Sequence, residues 1–204
     1  MQSVLVANRK GGCGKTLVAV TLAAALAGTG ARVALADADK QKSALRWLKL
    51  RPEAAAPVKG LDWTRGIGEA PKKTDWLVID APGALTGAKA EALIAEARAI
   101  IVPVLPSMFD AHATKRFLKD IAEVKRVRKG KAEIHLLANR VRAASRGSAR
   151  LRAFFEDLGQ EPLAWISERT AYPDLAAQGL AVADKPQRAF LPLRAQWDPV
   201  LAKF

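Results

Sequence analysis

Short runs of apolar residues recur along the chain and alternate with longer stretches of helical periodicity. These runs occupy residues 3–7, 32–36, 76–79, 99–105, 133–138 and, more weakly, 162–166. The runs are apolar on both faces, which is typical of parallel strands that are covered by helices on both sides. The pattern therefore predicts an α/β fold of three layers, with a mainly parallel, twisted sheet flanked by helices.

The whole chain is expected to form a single domain over residues 1–204, because it shows no internal repeat and no low-complexity linker. Residues 51–73 carry several prolines and glycines, and we interpret them as loops around an edge strand near residues 58–63. No run approaches about 18 uninterrupted apolar residues, and the N-terminus has no signal-peptide pattern. We therefore expect neither a transmembrane helix nor a secretory leader.

Polar residues and glycines cluster where the first three apolar runs end, at residues 8–16, 37–39 and 80–83. In parallel α/β folds, ligands bind in the crevice outside the carboxyl ends of the strands. The sequence therefore places the functional site at this edge of the predicted sheet.

Residues 8–16, Asn-Arg-Lys-Gly-Gly-Cys-Gly-Lys-Thr, lie between a strand pattern and an Ala-rich run of helical length, as in a phosphate-binding loop. The glycines allow successive N–H groups to point inward, and the following helix adds its positive end. Lys15 is expected to reach the β- and γ-phosphates, and Thr16 to bind Mg²⁺. Lys10 stands where the general G-x4-G-K-[ST] pattern has its first glycine. A nucleotide held by one subunit does not require this second lysine.

Acidic residues follow the second and third apolar runs. Asp37 and Asp39 can serve Mg²⁺ through its waters or orient an attacking water, or they can cap the helix that is predicted after them. Asp80 fits a Walker B carboxylate, which holds the Mg²⁺ shell. Gly83 can sense a γ-phosphate through its N–H group, or it can be an ordinary turn residue.

Two further residues have two interpretations each. Asn139 follows the fifth run and can pair with an adenine edge or form a turn. Cys13 is either a small filler of the loop or a thiol whose pKa is lowered at the helix N-terminus. Because it is the only cysteine, no intrachain disulfide can form, and a reducing cytoplasm is the simplest setting.

The net charge of +13 is concentrated in one part of the chain. Residues 111–152 contain thirteen Lys or Arg and three acidic residues, which gives a net +10 and leaves +3 for the rest. This clustering favours a polyanion partner over an ordinary solvated surface. Because no zinc-finger or RNA-motif signature is present, we expect non-specific binding to DNA phosphates.

Residues 10–16, Lys-Gly-Gly-Cys-Gly-Lys-Thr, resemble the deviant Walker A box of the ParA/MinD group of P-loop ATPases, whose pattern is K-G-G-x-G-K-[TS]. Residues 37–41 resemble its switch I, D-x-D-P-Q, with Lys40 in place of the proline, and residues 80–83 resemble its switch II. Residues 103–107 and 169–173 are similar to two later segments. The resemblance covers nearly the whole chain and implies a P-loop NTPase fold.

The resemblance implies a role for each matching residue. Lys10 would contact the phosphates of ATP in the opposite subunit, so that two ATP molecules are held between two subunits. The residues expected to bind the nucleotide are Lys10, Gly11, Gly12, Cys13, Gly14, Lys15, Thr16, Leu17 and Asn139. Catalytic roles are expected for Lys10, Lys15 and Asp39, and Mg²⁺ binding is expected for Thr16, Asp37 and Asp80. Switching is expected to involve Asp39 and Gly83. The expected DNA contacts are Arg146, Arg150, Arg152, Arg188 and Arg194.

The leading hypothesis is a cytoplasmic, nucleoid-associated ATPase that dimerises with ATP, binds DNA non-specifically and segregates or positions a cargo. The resemblance implies slow hydrolysis that a ParB-like or other adaptor protein stimulates. The alternative is a MinD-like regulator at a membrane, which needs an amphipathic C-terminal helix that Pro199 would interrupt. A metabolic P-loop enzyme, the third hypothesis, would leave the basic excess unexplained.

Overall fold

A computed structural model, which describes residues 1–83 and 85–204, contains a sheet of seven strands over those residues. The strands are β1 (Gln2–Val6), β2 (Val33–Asp37), β3 (Val58–Asp62), β4 (Trp76–Asp80), β5 (Ala99–Val104), β6 (Glu133–Val141) and β7 (Trp165–Ser167). Their order is β3-β2-β4-β1-β5-β6-β7, and each neighbouring pair is parallel. The predicted α/β fold with a parallel sheet is confirmed.

Helices connect the strands and cover both faces of the sheet. They are α1 (Lys15–Gly28), α2 (Ser43–Leu50), α3 (Gly87–Glu96), α4 (Met108–Ala122), α5 (Lys125–Arg128), α6 (Arg146–Leu158), α7 (Ala171–Ala176), α8 (Leu191–Arg194) and α9 (Asp198–Lys203). Short 3-10 turns lie at Val182–Asp184, Arg188–Phe190 and Ala195–Trp197. None of the helices among the described residues has the length and apolar character needed to cross a membrane.

Alternate residues of each central strand pack against opposite layers of helices. In β1, Val4 and Val6 belong to the cluster that contains α1, whereas Leu5 belongs to the cluster with Leu93 of α3 and Phe117 of α4. Because both faces are buried, the central strands need apolar residues at every position. This is why they appear in the sequence as continuous apolar runs rather than as alternating patterns.

The predicted strand runs agree with β1, β2, β4 and β5 to within about one residue at each end, and the remaining runs differ more. The edge strand expected near residues 58–63 is β3. The weak run at residues 162–166 only overlaps β7, which begins at Trp165. Strand β6 is longer than its apolar run, because it continues past an irregularity in its pairing with β7, where Arg140 has a φ of 54°.

A buried ion pair connects the end of α2 to the C-terminal part of the chain. Arg51 Nη1 and Nη2 bind the two carboxylate oxygens of Asp184 at 2.9 and 2.8 Å. The two side chains are only 5% and 8% exposed. Nearby, Trp47 Nε1 donates a hydrogen bond to Leu180 O at 3.2 Å. The helix that follows the second strand is therefore held firmly against the segment that precedes α8.

We predict that Arg51→Ala lowers the free energy of unfolding by about 3–5 kcal/mol, because it leaves the Asp184 carboxylate buried without a positively charged partner. The matched control is Arg32→Ala, which removes a bidentate pair with Asp75 whose side chains are 61% and 41% exposed. This control should lose about 0–1 kcal/mol. Urea unfolding of both variants checks the prediction, and equal losses would contradict it.

Candidate functional site

The glycine-rich loop leaves the end of β1 and is anchored by the buried side chain of Asn8. Asn8 Nδ2 donates to Pro103 O at 2.9 Å and to Thr114 Oγ1 at 3.0 Å, and its Oδ1 accepts the N–H of Lys10 at 3.3 Å. The buried side-chain amide of Asn8 thus forms hydrogen bonds with strand β5, helix α4 and the loop. Sequence reasoning missed this residue, although an Asn directly after a buried strand was the available signal.

The loop conformation depends on glycine at position 14. Gly14 has a φ of 88°, and a Cβ there would lie 2.5 Å from Asn139 Nδ2. The Asn139 amide in turn donates to Cys13 O at 2.8 Å. Any side chain at Gly14 would both strain the backbone and displace Asn139. Asn139, which was predicted to contact adenine, therefore also holds the loop from the end of β6.

The two lysines of the loop differ in their environment. The side chain of Lys15 is buried, and its Nζ donates to Lys10 O at 3.0 Å across the loop. Lys10 is exposed. Lys15 is thus placed inside the loop, where a bound phosphate would meet it, while Lys10 is accessible to another molecule.

Cys13 is a buried part of the loop rather than a reactive thiol. Its side chain is inaccessible to solvent, and its Sγ donates to Lys10 O at 3.3 Å. Burial raises the pKa of the Cys13 thiol, and the nearby charge of Lys15 opposes this only in part. The hypothesis of a lowered pKa is wrong, because removal from water outweighs the positive end of the helix.

Asp80 ends β4 as a fully buried carboxylate, and neither of its oxygens has a hydrogen-bond partner among the described residues. Burial raises the pKa of Asp80 to about 7. The Thr16 hydroxyl and the Lys15 charge lower it, whereas Asp37 and Asp39 raise it further. A buried carboxylate that lacks a partner and is close enough to feel two other acids is stabilised either by a proton or by a cation.

The residues around Asp80 fit a Mg²⁺ ion. Over the described part of the chain, no three His, Cys, Asp or Glu side chains converge as a metal cluster. Mg²⁺ does not require one, because it commonly takes one or two protein oxygens together with substrate phosphates and waters. The unpartnered Asp80 carboxylate and the neighbouring Thr16 hydroxyl are such oxygens, and the glycine-rich loop lies beside them.

Asp37 and Asp39 differ in what their oxygens bind. Asp37 Oδ2 accepts the N–H of Leu45 at 3.0 Å, and its Oδ1 accepts that of Asp39 at 3.0 Å. Asp37 therefore does cap the start of α2, as one of the two interpretations expects, and burial raises its pKa. Asp39 Oδ2 accepts the N–H of Gly83 at 3.1 Å. The two segments that resemble switch I and switch II thus meet in a direct hydrogen bond.

A cavity of about 570 Å³ adjoins the loop on the side of β6 and β7. Gly14, Leu17 and Asn139 contribute to its wall, together with Ile166 and Tyr172. The walls are mostly apolar, which suits the flat ring of a nucleotide base next to the phosphate-binding loop. The predicted nucleotide residues Leu17 and Asn139 are therefore brought to one place.

The predicted DNA-binding arginines are spread over two parts of the structure. Arg146, Arg150 and Arg152 are exposed on α6, and the guanidinium of Arg152 lies 4.3 Å from the ring centre of Trp165 in β7. Arg188 is exposed in the turn Arg188–Phe190, and Arg194 ends α8. These five side chains therefore come from three elements, of which α6 is distant in sequence from the other two.

Two acidic residues near the site were not predicted to have a role. Asp110, in the first turn of α4, is buried, and its Oδ1 has no partner among the described residues. Glu168 pairs with both Arg140 and Arg142. Their positions in the sequence do not indicate a role, because both residues are brought to the site only when the chain folds.

Comparison with known proteins shows which family the sequence resembles. A sequence model of the CobQ/CobB/MinD/ParA nucleotide-binding domain matches residues 4–182. The maintenance of carboxysome distribution protein A of Halothiobacillus neapolitanus is 30% identical over 187 residues, which cover 88% of this chain and 86% of that protein. The chromosome-partitioning ATPase Soj of Thermus thermophilus is 28% identical over 193 residues, covering 76% and 77%.

The fold is also found among solved structures. The apo form of McdA from Cyanothece superposes with a TM-score of 0.81 over 99% of this chain and 98% of that one, at 18% identity. At this identity the similarity shows the fold alone.

We predict that Asp80→Asn stabilises the metal-free protein at pH 8 by a few kcal/mol. Because the pKa of Asp80 is raised in the folded protein, the unfolded chain releases this proton first as the pH rises. The wild type should therefore lose stability between about pH 4 and 7. The variant should lose the part of this decline that Asp80 contributes and keep only that of Asp37, whose pKa is also raised, and the exposed control Asp174→Asn should keep the whole decline. Urea unfolding across this range is the measurement, and an unchanged profile in Asp80→Asn would contradict the assignment.

Proposed function

Because the chain belongs to the CobQ/CobB/MinD/ParA nucleotide-binding family, we propose that it is an ATPase that segregates or positions a cargo. ATP would bring two copies together, the dimer would bind DNA, and hydrolysis would separate them. The observation that carries the proposal is the pair of lysines in the loop: Lys15 is buried inside the glycine-rich loop, whereas Lys10 is exposed.

The proposed ATP site uses the loop, the end of β4 and the apolar cavity. Backbone N–H groups of residues 11–16 and the Lys15 ammonium would bind the phosphates. Thr16 and Asp80 would hold Mg²⁺, with Asp37 supporting the arrangement from the start of α2. The base would lie against Leu17 and Asn139. Mg²⁺ would neutralise the charge that develops on the phosphate oxygens.

The hydrogen bond from the Gly83 N–H to Asp39 suggests how the nucleotide state is sensed. A γ-phosphate is a stronger acceptor for that N–H, since it carries more negative charge. If the phosphate takes the N–H, the Asp39 carboxylate is released to orient an attacking water. Hydrolysis and loss of the phosphate would restore the hydrogen bond and reset both segments.

Lys10 would complete the site of a second copy. Its side chain is exposed, although it stands at the position where other phosphate-binding loops have a glycine. A cation there can reach the phosphates of ATP bound to the opposite subunit. Dimerisation would then require nucleotide in both sites, and it would double the basic surface that meets DNA. Because electrostatic binding depends on the number of neutralised phosphates, doubling raises the affinity steeply.

The cargo and the partner are proposed from the relatives. One relative is named for carboxysome distribution and another for chromosome partitioning. We propose an assembly or a DNA region as cargo, a ParB-like or other adaptor protein that stimulates hydrolysis, and a cytoplasmic, nucleoid-associated location. The C-terminal helices α8 and α9 span only four and six residues. Pro192 and Pro199 are the second residues of these helices, and among the described residues this part offers no long amphipathic helix that would favour a MinD-like membrane function.

We predict that Lys10→Ala keeps nucleotide binding but abolishes ATP-dependent dimerisation, because the loop loses its contact to the second subunit. The ATP-dependent gain in DNA affinity should disappear with it. Light scattering with ATP and a labelled duplex in fluorescence anisotropy measure the two effects.

The matched control is Lys72→Ala, which removes an exposed lysine from a loop outside the site. It should dimerise as the wild type does. Dimers of Lys10→Ala at wild-type ATP levels would overturn the role of Lys10.

We predict that Asp39→Ala reduces the rate of ATP hydrolysis by at least about 100-fold, because the water loses its orienting carboxylate. ATP-dependent dimers and their DNA complexes should persist longer than in the wild type. Phosphate release and the lifetime of the DNA complex after ATP dilution test this. Normal turnover in the variant would exclude Asp39 as the residue that orients water.

A further inference from the structure

The fold divides the basic stretch of residues 111–152 into two parts. Strand β6, which has nine residues, crosses the sheet within this stretch and spans roughly 30 Å. Arg146 and Arg150 follow β6 and lie towards the edge that holds the phosphate-binding loop. The cations of α5 and of the loop after it, which directly precede β6, lie at the opposite edge. Residues that are close in sequence therefore face opposite ends of the sheet.

The cations at the opposite edge form what we call the distal basic surface. Its members come from the segment before β5, from α5 and the loop after it, and from α9: Arg98, Lys125, Arg126, Arg128, Lys129, Lys131 and Lys203. All of them except Arg126 are exposed, and Arg126 is half-buried. Most of these side chains were counted in the sequence as part of a single basic stretch.

A cavity of about 490 Å³ lies within the distal basic surface. Gln2, Ala99 and Glu133, the first residues of β1, β5 and β6, form its floor. Because the phosphate-binding loop follows the last residue of β1, the cavity and the nucleotide site lie at opposite ends of that strand. The cationic side chains that line the cavity are Arg98, Arg126, Lys131 and Lys203.

Most of the positive charge of this surface is uncompensated. Lys203 Nζ pairs with Glu133 at 3.0 Å, and His135 is 3.3 Å from the same carboxylate. None of the other six cations forms an ion pair with any residue that the structure describes. Arg126 Nε donates to Ala97 O at 2.6 Å, which fixes its guanidinium at the wall of the cavity. By contrast, Arg140 and Arg142 at the other edge both pair with Glu168.

The chemistry of the surface selects among anionic ligands. The large exposed hydrophobic side chains of the described residues are Met1, Leu50, Ile67, Met108, Phe109 and Leu191. None of them lines the cavity, and only Met1 is next in sequence to a lining residue. A membrane surface would need inserted apolar side chains, and single-stranded nucleic acid would need exposed aromatic rings. The backbone of duplex DNA needs only an array of cations.

We infer that the distal basic surface binds the phosphate backbone of duplex DNA, as a contact separate from the edge that holds the nucleotide. The inference rests on the proposed function in taking DNA as the ligand. It differs from that proposal in one respect: the surface is complete within one subunit and lies away from Lys10. Binding through it should therefore not require ATP.

The test compares two triple variants that remove the same charge. Lys125, Lys129 and Lys131 are each replaced by Gln in the distal variant, and Lys49, Lys59 and Lys72 in the control variant. All six lysines are exposed, and none donates a side-chain hydrogen bond within the described residues, so both variants should fold. Affinity for a short labelled duplex is measured by anisotropy over a range of salt concentrations, without nucleotide and with ATP.

The distal variant should lose at least about tenfold in DNA affinity at low salt in both nucleotide states. The slope of log affinity against log salt should become shallower by about 2–3, because three phosphate contacts are lost from each subunit. The control variant should keep the wild-type slope. Equal behaviour of the two triple variants would overturn the inference.

The outcomes separate this inference from the proposed function. Loss of binding in the distal variant, with no effect of ATP on the wild type, would support the surface and contradict the switch. If ATP-dependent DNA binding survives in the distal variant, this result would support the switch and contradict the role of the distal basic surface. Wild-type protein that binds anionic phosphatidylglycerol vesicles through these lysines but binds no DNA would overturn both.

Discussion

The buried carboxylate of Asp80 is the constraint around which the site is built. A buried carboxylate without hydrogen-bond partners among the described residues is costly, and here two further acids, Asp37 and Asp39, lie close enough to raise its pKa. The protein supplies part of the compensation through Thr16 and Lys15. A proton or a cation can supply the rest, and Mg²⁺ bound together with a nucleotide would fit the oxygens of Asp80 and Thr16. Binding of this ligand, as proposed, would then relieve the cost of the buried carboxylate.

From Asp80 outward, a series of direct contacts joins the site to the rest of the chain. Asp39 receives a hydrogen bond from Gly83, so the ends of β2 and β4 are linked. Asp37 caps α2, and Arg51 at the end of that helix pairs with the buried Asp184. A change in the occupancy of the site would therefore affect α2, which is packed against the C-terminal segment. These contacts give a structural basis for a switch without requiring a large movement.

The sequence was sufficient to predict the parts of the structure that depend on local pattern. Continuous apolar runs predicted the parallel strands, and residues 10–16 predicted the loop, because both are encoded in consecutive residues. The remaining features depend on residues that are distant in sequence. Asn8 meets Thr114, and Glu168 meets Arg140, only once the sheet has formed. The net charge of residues 111–152 could be read from the composition. The separation of its cations by β6 into two groups follows from the topology of the sheet and could not be predicted from composition.

The central claim is that the nucleotide state decides both the association of two copies and their affinity for DNA. Analytical ultracentrifugation of the wild-type protein, with Mg²⁺ and a labelled duplex, tests it most directly when ADP is compared with a non-hydrolysable ATP analogue. The account predicts monomers with weak, salt-sensitive DNA binding in ADP. It predicts dimers that carry DNA at higher salt with the ATP analogue. The same mass and the same salt dependence of DNA binding with both nucleotides would contradict it.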